Sequence, residues 1–198
     1  MSGWLKSPWL WSLALALLAT GAIAANTAST PAPLPRDSVY QLPLPLTDQH
    51  GVTHDWRTRR GQPQVVAMFY GACPDMCPLT IDGGKAVEHA LSPAERRRLQ
   101  LLYISLDPQR DTPATLAALA HKRGLDAARW SLAIPRAQDV RSVAGVLGVR
   151  YRRLADGQFN HTSALLLLDR DGRIVARTER IGGAADPDFM ASVHQLLR

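Results

Sequence analysis

Val65-Val66-Ala67-Met68-Phe69-Tyr70 is a continuous apolar run of strand length that leads straight into Gly71-Ala72-Cys73-Pro74-Asp75-Met76-Cys77-Pro78. A strand that is apolar at every position must be covered on both faces, as the central strand of an α/β sheet is. The two thiols, the only cysteines in the chain, therefore fall where a central strand ends. If a helix begins between them, the spacing puts the sulfurs about one turn apart. That arrangement suits closing a disulfide or clamping a soft metal. A helix N-terminus also favours negative charge, so Cys73 is well placed to ionise.

The rest of the chain alternates strand and helix signals. Helical potential runs from Pro78 to Leu91, with Gly83-Gly84 weakening its middle. Ser92-Pro93-Ala94-Glu95 has the composition of a capping box opening a short helix. Leu99 to Leu106 reads as a second buried strand, and Asp111-Thr112-Pro113 as the cap of a helix that stops at Gly124. Trp130 to Ile134 gives a third strand and Asp139 to Leu147 a helix. Ser163–Leu168 and Ile174–Thr178 flank the turn Asp169-Arg170-Asp171-Gly172, a hairpin signal, and Asp186-Pro187 opens a terminal helix. This order predicts a three-layer α/β domain around a central mixed sheet. A cysteine pair between its first strand and first helix points to the thioredoxin-like superfold.

Residues 1–25 carry one charge, Lys6, ahead of an apolar core and the small-residue site Ala22-Ile23-Ala24. They read as a signal peptide, or as an uncleaved membrane anchor that would hold the chain to a membrane by its N-terminus. Either way the folded part is expected in the periplasm or on the extracytoplasmic face of the inner membrane, where disulfides persist. Residues 26–36 are small, polar and proline-rich and read as a flexible linker, leaving 37–198 as one domain. The formal charge of +6 comes from scattered arginines without aromatic interleaving. With no recognition motif, this argues against nucleic acid as a partner and fits a basic surface facing anionic lipid or an acidic partner.

Soft thiolates select Cu(I), and a neutral imidazole would complete a trigonal site, whereas Zn(II) would want a fourth ligand. Of the six histidines, His161 is the best candidate, because it stands at the start of the Ser163–Leu168 strand after a turn-rich segment. A lone histidine beside a strand also reads as an ordinary surface or core residue. A static disulfide is the bland alternative for the cysteines, but a bridge closing so small a loop stabilises weakly. Two redox readings stand beside these. One is a thiol:disulfide reductase in which Cys73 attacks and Cys77 resolves; the other is a peroxide scavenger, which would need a low-pKa cysteine.

Three runs carry a family resemblance: Phe69-Tyr70-Gly71-Ala72-Cys73-Pro74-Asp75-Met76-Cys77-Pro78, Ile104-Ser105-Leu106-Asp107-Pro108-Gln109-Arg110-Asp111-Thr112-Pro113, and Asn160-His161-Thr162-Ser163-Ala164. Together they closely resemble the signatures of the SCO/SenC family, thioredoxin-like copper chaperones for cytochrome c oxidase assembly. The resemblance runs from about Leu46 to Leu197 and implies copper as the ion held, as Cu(I) or as Cu(II) with an added weak ligand. It implies Cys73, Cys77 and His161 as ligands and Asp75 as a partner-contact residue. Asp107 and Asp111 are implied to be mainly structural, the latter a helix cap by its position. The implied partners are the Cu_A subunit of a terminal oxidase or another cuproprotein, and other copper chaperones. One departure is local: the family usually has Phe-Gly-Tyr-Thr ahead of its cysteines, and this chain has Phe69-Tyr70-Gly71-Ala72.

Overall fold

The computed structural model describes residues 32–72 and 76–198, with no account of the side chains of residues 76–78. The N-terminal segment 1–25, Cys73 and Asp75 lie outside the described residues, as does the cysteine side chain at position 77.

Three parallel strands form the centre: β3 (Gln64–Phe69), β4 (Gln100–Ser105) and β5 (Trp130–Pro135). Antiparallel strands extend both edges. On one side lie β1 (Pro45–Asp48) and β2 (Thr53–Asp55), on the other β8 (Leu165–Leu168) and β9 (Ile174–Thr178), giving the order β2-β1-β5-β4-β3-β8-β9. Every residue of β3 and of β8 is buried, so both faces of the sheet are covered, and each fully buried Val, Leu, Phe or Met adds about 1.5–3 kcal/mol. The helices are α1 (Met76–Ala90), α2 (Pro93–Arg96), α3 (Pro113–Arg123), α4 (Val140–Val146) and α5 (Pro187–Leu196). A mixed sheet sandwiched in this way is the expected three-layer, thioredoxin-like arrangement.

Local chemistry sets several element ends as the sequence predicts. The Ser92 side chain accepts from the Glu95 amide while Glu95 Oε2 takes the Ser92 amide at 2.9 Å, a complete capping box on α2. Gly124 closes α3 with a left-handed backbone (φ +61°) that L side chains rarely adopt.

Four expectations are corrected. Gly83-Gly84 does not weaken α1, which runs unbroken from Met76, two residues before the expected start. A Cβ at Gly84 would lie 2.7 Å from Trp130 Cη2 and still nearer Tyr103 Oη, so the glycine lets α1 sit against β4 and β5. A short 3-10 turn, Ala137–Asp139, precedes α4, which therefore starts at Val140 and not at Asp139. His161 does not begin the strand of Leu165–Leu168. It ends β7 (Phe159–His161), which pairs with β6 (Tyr151–Arg153) in a separate two-stranded ribbon. Finally, Thr112 and not Asp111 caps α3, through its side chain and the Thr115 amide at 3.2 Å. The β1–β2 hairpin had no sequence signal, because its strands of four and three residues are too short for a period of two to register.

Candidate metal centre

β3 ends at Phe69, and the next residues turn toward the cysteines. The Gly71 amide donates to both carboxylate oxygens of Asp111 at 3.1 Å. The Ser105 hydroxyl donates to Asp111 Oδ2 and accepts from the Asp107 amide at 2.9 Å. Asp111 is only 5% exposed. Burial holds its carboxyl above the ordinary value, against the bonds from Ser105 and Gly71 that favour the anion. Freed from the capping duty that its sequence position implied, Asp111 fixes the backbone two residues ahead of Cys73. The displaced glycine of the first signature has its reason here: a Cβ at position 71 would lie 2.6 Å from Asp111 Oδ1.

The β6–β7 ribbon brings His161 to the same end of β3. Tyr70, 2% exposed, stacks edge-on against Phe159 and His161, with centroids 5.2 and 5.9 Å apart. Its hydroxyl donates to Gln158 Oε1 at 3.0 Å and accepts from the Phe159 amide at 3.3 Å. Arg110 reaches over from the second signature, giving Nη2 to the Gly157 carbonyl at 2.7 Å and Nε to Asp107 Oδ2.

The imidazole of His161 has two unlike nitrogens. Nδ1 lies 3.1 Å from the Thr162 carbonyl, which can only accept, so Nδ1 carries the hydrogen. Nε2 then bears the lone pair, and it is buried without a hydrogen-bond partner among the described residues. A backbone carbonyl fixing one nitrogen while the other stays basic and unpaired is the usual preparation of a metal-ligating histidine. His161 also borders a cavity of about 550 Å³ whose walls include Tyr151, Arg150, Arg152 and Glu179. No described group inside the fold satisfies the free lone pair. A soft monovalent ion fits this donor, and the two cysteines follow the ring's neighbour Tyr70 by three and seven residues.

Burial lowers the pKa of His161 below the ordinary 6.5, with the bond to Thr162 opposing. A proton-coupled NMR titration of the metal-free protein is expected to place its midpoint below 6.5. The unfolded chain would take up this proton at higher pH than the folded one, so acidification from 6.5 downward removes stability at this residue. A midpoint at or above 6.5 would contradict the buried, unpaired geometry.

The structure places His161 beside Tyr70, three residues before Cys73, and starts α1 at Met76, between the two cysteines. It leaves the sulfurs and Asp75 outside the described residues. Among the described residues no three of His, Cys, Asp or Glu cluster as a metal cage. His194 is engaged elsewhere, 2.7 Å from Glu95. Sequence reasoning missed Tyr70, Gly71 and Arg110 as parts of the site. The signal for Arg110 was its place in the second signature, between two aspartates that are both buried.

Comparisons with known proteins bear on the family and the fold. The profile of the SCO1/SenC family matches residues 35–197. A "Putative copper-binding protein" of Stutzerimonas stutzeri is 35% identical over 83 residues, 42% of this chain and 40% of that protein. "Protein SCO2, mitochondrial" of Saccharomyces cerevisiae is 32% identical over 74 residues, 37% of this chain and 25% of the other. The matches thus span less than half the length of these curated relatives. The solved structure of Bradyrhizobium japonicum ScoI with copper bound superposes with a TM-score of 0.67 at 24% identity, covering 78% of this chain and 98% of that one, and shows the shared fold. With its profile matched across nearly the whole folded part, the chain belongs to the SCO1/SenC family.

Proposed function

We propose that this protein is a copper chaperone, in which the thiolates of Cys73 and Cys77 and Nε2 of His161 hold one Cu(I) and pass it to a cuproprotein. The observation that carries the reading is the buried, unpartnered Nε2 of a neutral imidazole, beside the residue that leads into the cysteines. Cys73 follows Tyr70 by three residues, a reach of at most about 11 Å, a span compatible with one shared site. The copper named for the Stutzerimonas protein and for ScoI supports the identity of the ion.

Two thiolates and one nitrogen suit Cu(I), and a three-coordinate ion leaves an approach for an incoming thiolate. Transfer then proceeds by exchange: the acceptor thiolate binds, one donor of this chain leaves, and copper keeps its oxidation state throughout. We assign the Cu_A subunit of a terminal oxidase as recipient, with Asp75 at the contact, and an exported location for the domain. A solved structure of similar fold, BsSco, is described as a member of the Sco family of cytochrome c oxidase assembly proteins, which supports that recipient. A thiol:disulfide reductase remains the competing reading, since the start of α1 at Met76 puts Cys77 in the first turn of a helix, where a thiolate is favoured.

Copper quantification on the reduced protein is expected to give about one equivalent, lost in Cys73→Ala and in Cys77→Ala. Undiminished loading in either variant would overturn the assignment.

A further inference from the structure

We infer that Arg110 is a positioning residue that holds the ribbon of His161 in place for the metal, an inference that rests on the chaperone reading above. The ribbon needs such a hold. β6 and β7 share three residue pairs and stand apart from the seven-stranded sheet, and a lone two-stranded hairpin is marginal in water. Its tip, Leu154 to Gln158, is closed by the Gly157 amide on the Leu154 carbonyl at 3.0 Å and the Leu154 amide on the Gln158 carbonyl at 2.8 Å. The Gly157 carbonyl is where Arg110 attaches.

The other end of the guanidinium is anchored in the domain. Asp107 is 2% exposed, takes Arg110 Nε on Oδ2, and has its amide bound to Ser105 Oγ. Ser105 in turn donates to Asp111, which holds the Gly71 amide. One chain of hydrogen bonds therefore runs from Gly157, four residues before His161, to Gly71, two residues before Cys73. Both arms of the site hang on the segment Ser105–Asp111. The planar fork of arginine can serve a carboxylate and a carbonyl at once in fixed directions, and the single ammonium of lysine cannot reproduce that. Groups that orient a ligand without touching the metal typically carry 10–100-fold in metal affinity.

Arg110→Gln and Arg110→Lys, with His161→Ala as reference, separate the possibilities. Lysine keeps a cation beside buried Asp107 and so protects the fold, while giving up the second directed donor. In the metal-free full-length protein, amide hydrogen exchange at Leu154, Gly157 and Phe159 is expected to quicken by about 10-fold or more in both variants, with β3 and β4 unchanged. Cu(I) affinity measured by competition with a chromogenic chelator is expected to fall 10–100-fold. The nitrogen hyperfine coupling of the Cu(II) form is expected to weaken, which a loss of stability alone would not cause. Unaltered ribbon exchange, or unaltered affinity where His161→Ala lowers it, would overturn the inference. If the wild-type protein binds no copper, the chaperone reading falls instead, and ribbon exchange still decides whether Arg110 holds the hairpin.

Discussion

Replacing His161 with alanine is expected to lower Cu(I) affinity by more than about 100-fold, beyond the 10–100-fold typical of residues that only orient a ligand. The change removes a donor whose lone pair no described group inside the fold uses, while leaving both sulfurs in the chain. Two thiolates alone still hold copper, but at two-coordinate strength and without the nitrogen that opens a graded route of exchange. The metal-free protein should scarcely notice. Losing the edge contact with Tyr70 costs up to about 1.5 kcal/mol and losing the Nδ1 bond to the Thr162 carbonyl about 1 kcal/mol, while removing a buried acceptor that has no partner among the described residues returns about 1–3 kcal/mol. The net effect on stability is therefore small, and a thermal melt beside the copper titration distinguishes lost ligation from unfolding. Thiol–disulfide exchange with a small disulfide is expected to persist in the variant. If copper binding also persists at wild-type strength, the imidazole is no ligand, and plain dithiol chemistry becomes the better account.

The second large effect concerns stability, and two adjacent glycines of α1 should respond with opposite signs. Gly→Ala inside a helix ordinarily gains up to about 1 kcal/mol from propensity and unfolded-state entropy. At Gly83 the new methyl would meet Leu165 at 3.5 Å and Ile181 at 3.7 Å, ordinary contact distances, so Gly83→Ala is expected to stabilise by about 0.5–1 kcal/mol. At Gly84 the methyl would lie 2.7 Å from Trp130 Cη2 and 3.2 Å from Leu101 Cδ2, and closer still to the Tyr103 hydroxyl. Tyr103 and Trp130 are fully buried, and the Tyr103 hydroxyl donates to the Thr80 carbonyl at 2.9 Å. Neither ring can yield without displacing α1 from the sheet or breaking that bond. Overpacking costs of about 1–3 kcal/mol and the lost hydrogen bond of about 1 kcal/mol outweigh the propensity gain. Gly84→Ala should therefore destabilise by about 2 kcal/mol, a fall in Tm of roughly 4–8 °C. Calorimetry on both variants checks the pair. A stabilised Gly84→Ala would mean that α1 does not approach β4 as closely as described.

The central strands were readable because their signal is local. Six consecutive buried residues in β3 leave no alternation to misread, and Ser92, Gly124 and the Asp169–Gly172 turn announce their conformations through their own side chains or lack of them. The pair of thiols was readable for the same reason, since a spacing of four positions is a property of the chain. The sequence reading nominated His161 among six histidines, but assigned it to the wrong strand, because three residue pairs of ribbon are too short to show a period of two.

Sequence alone thus determined the three central strands, the β8–β9 hairpin, the helices between and after them and their order, and which candidate donors the chain has to offer a soft ion. The surroundings of the candidate nitrogen donor were decided only in three dimensions. The Thr162 carbonyl chooses the tautomer of His161, and burial keeps the ring neutral. Tyr70, Arg110 and Asp111, far from His161 along the chain, fix where the ring and the start of the cysteine loop can sit. Desolvation and hydrogen-bond direction depend on neighbours that folding brings together across separations of forty to ninety residues, and no local propensity or periodic pattern encodes them.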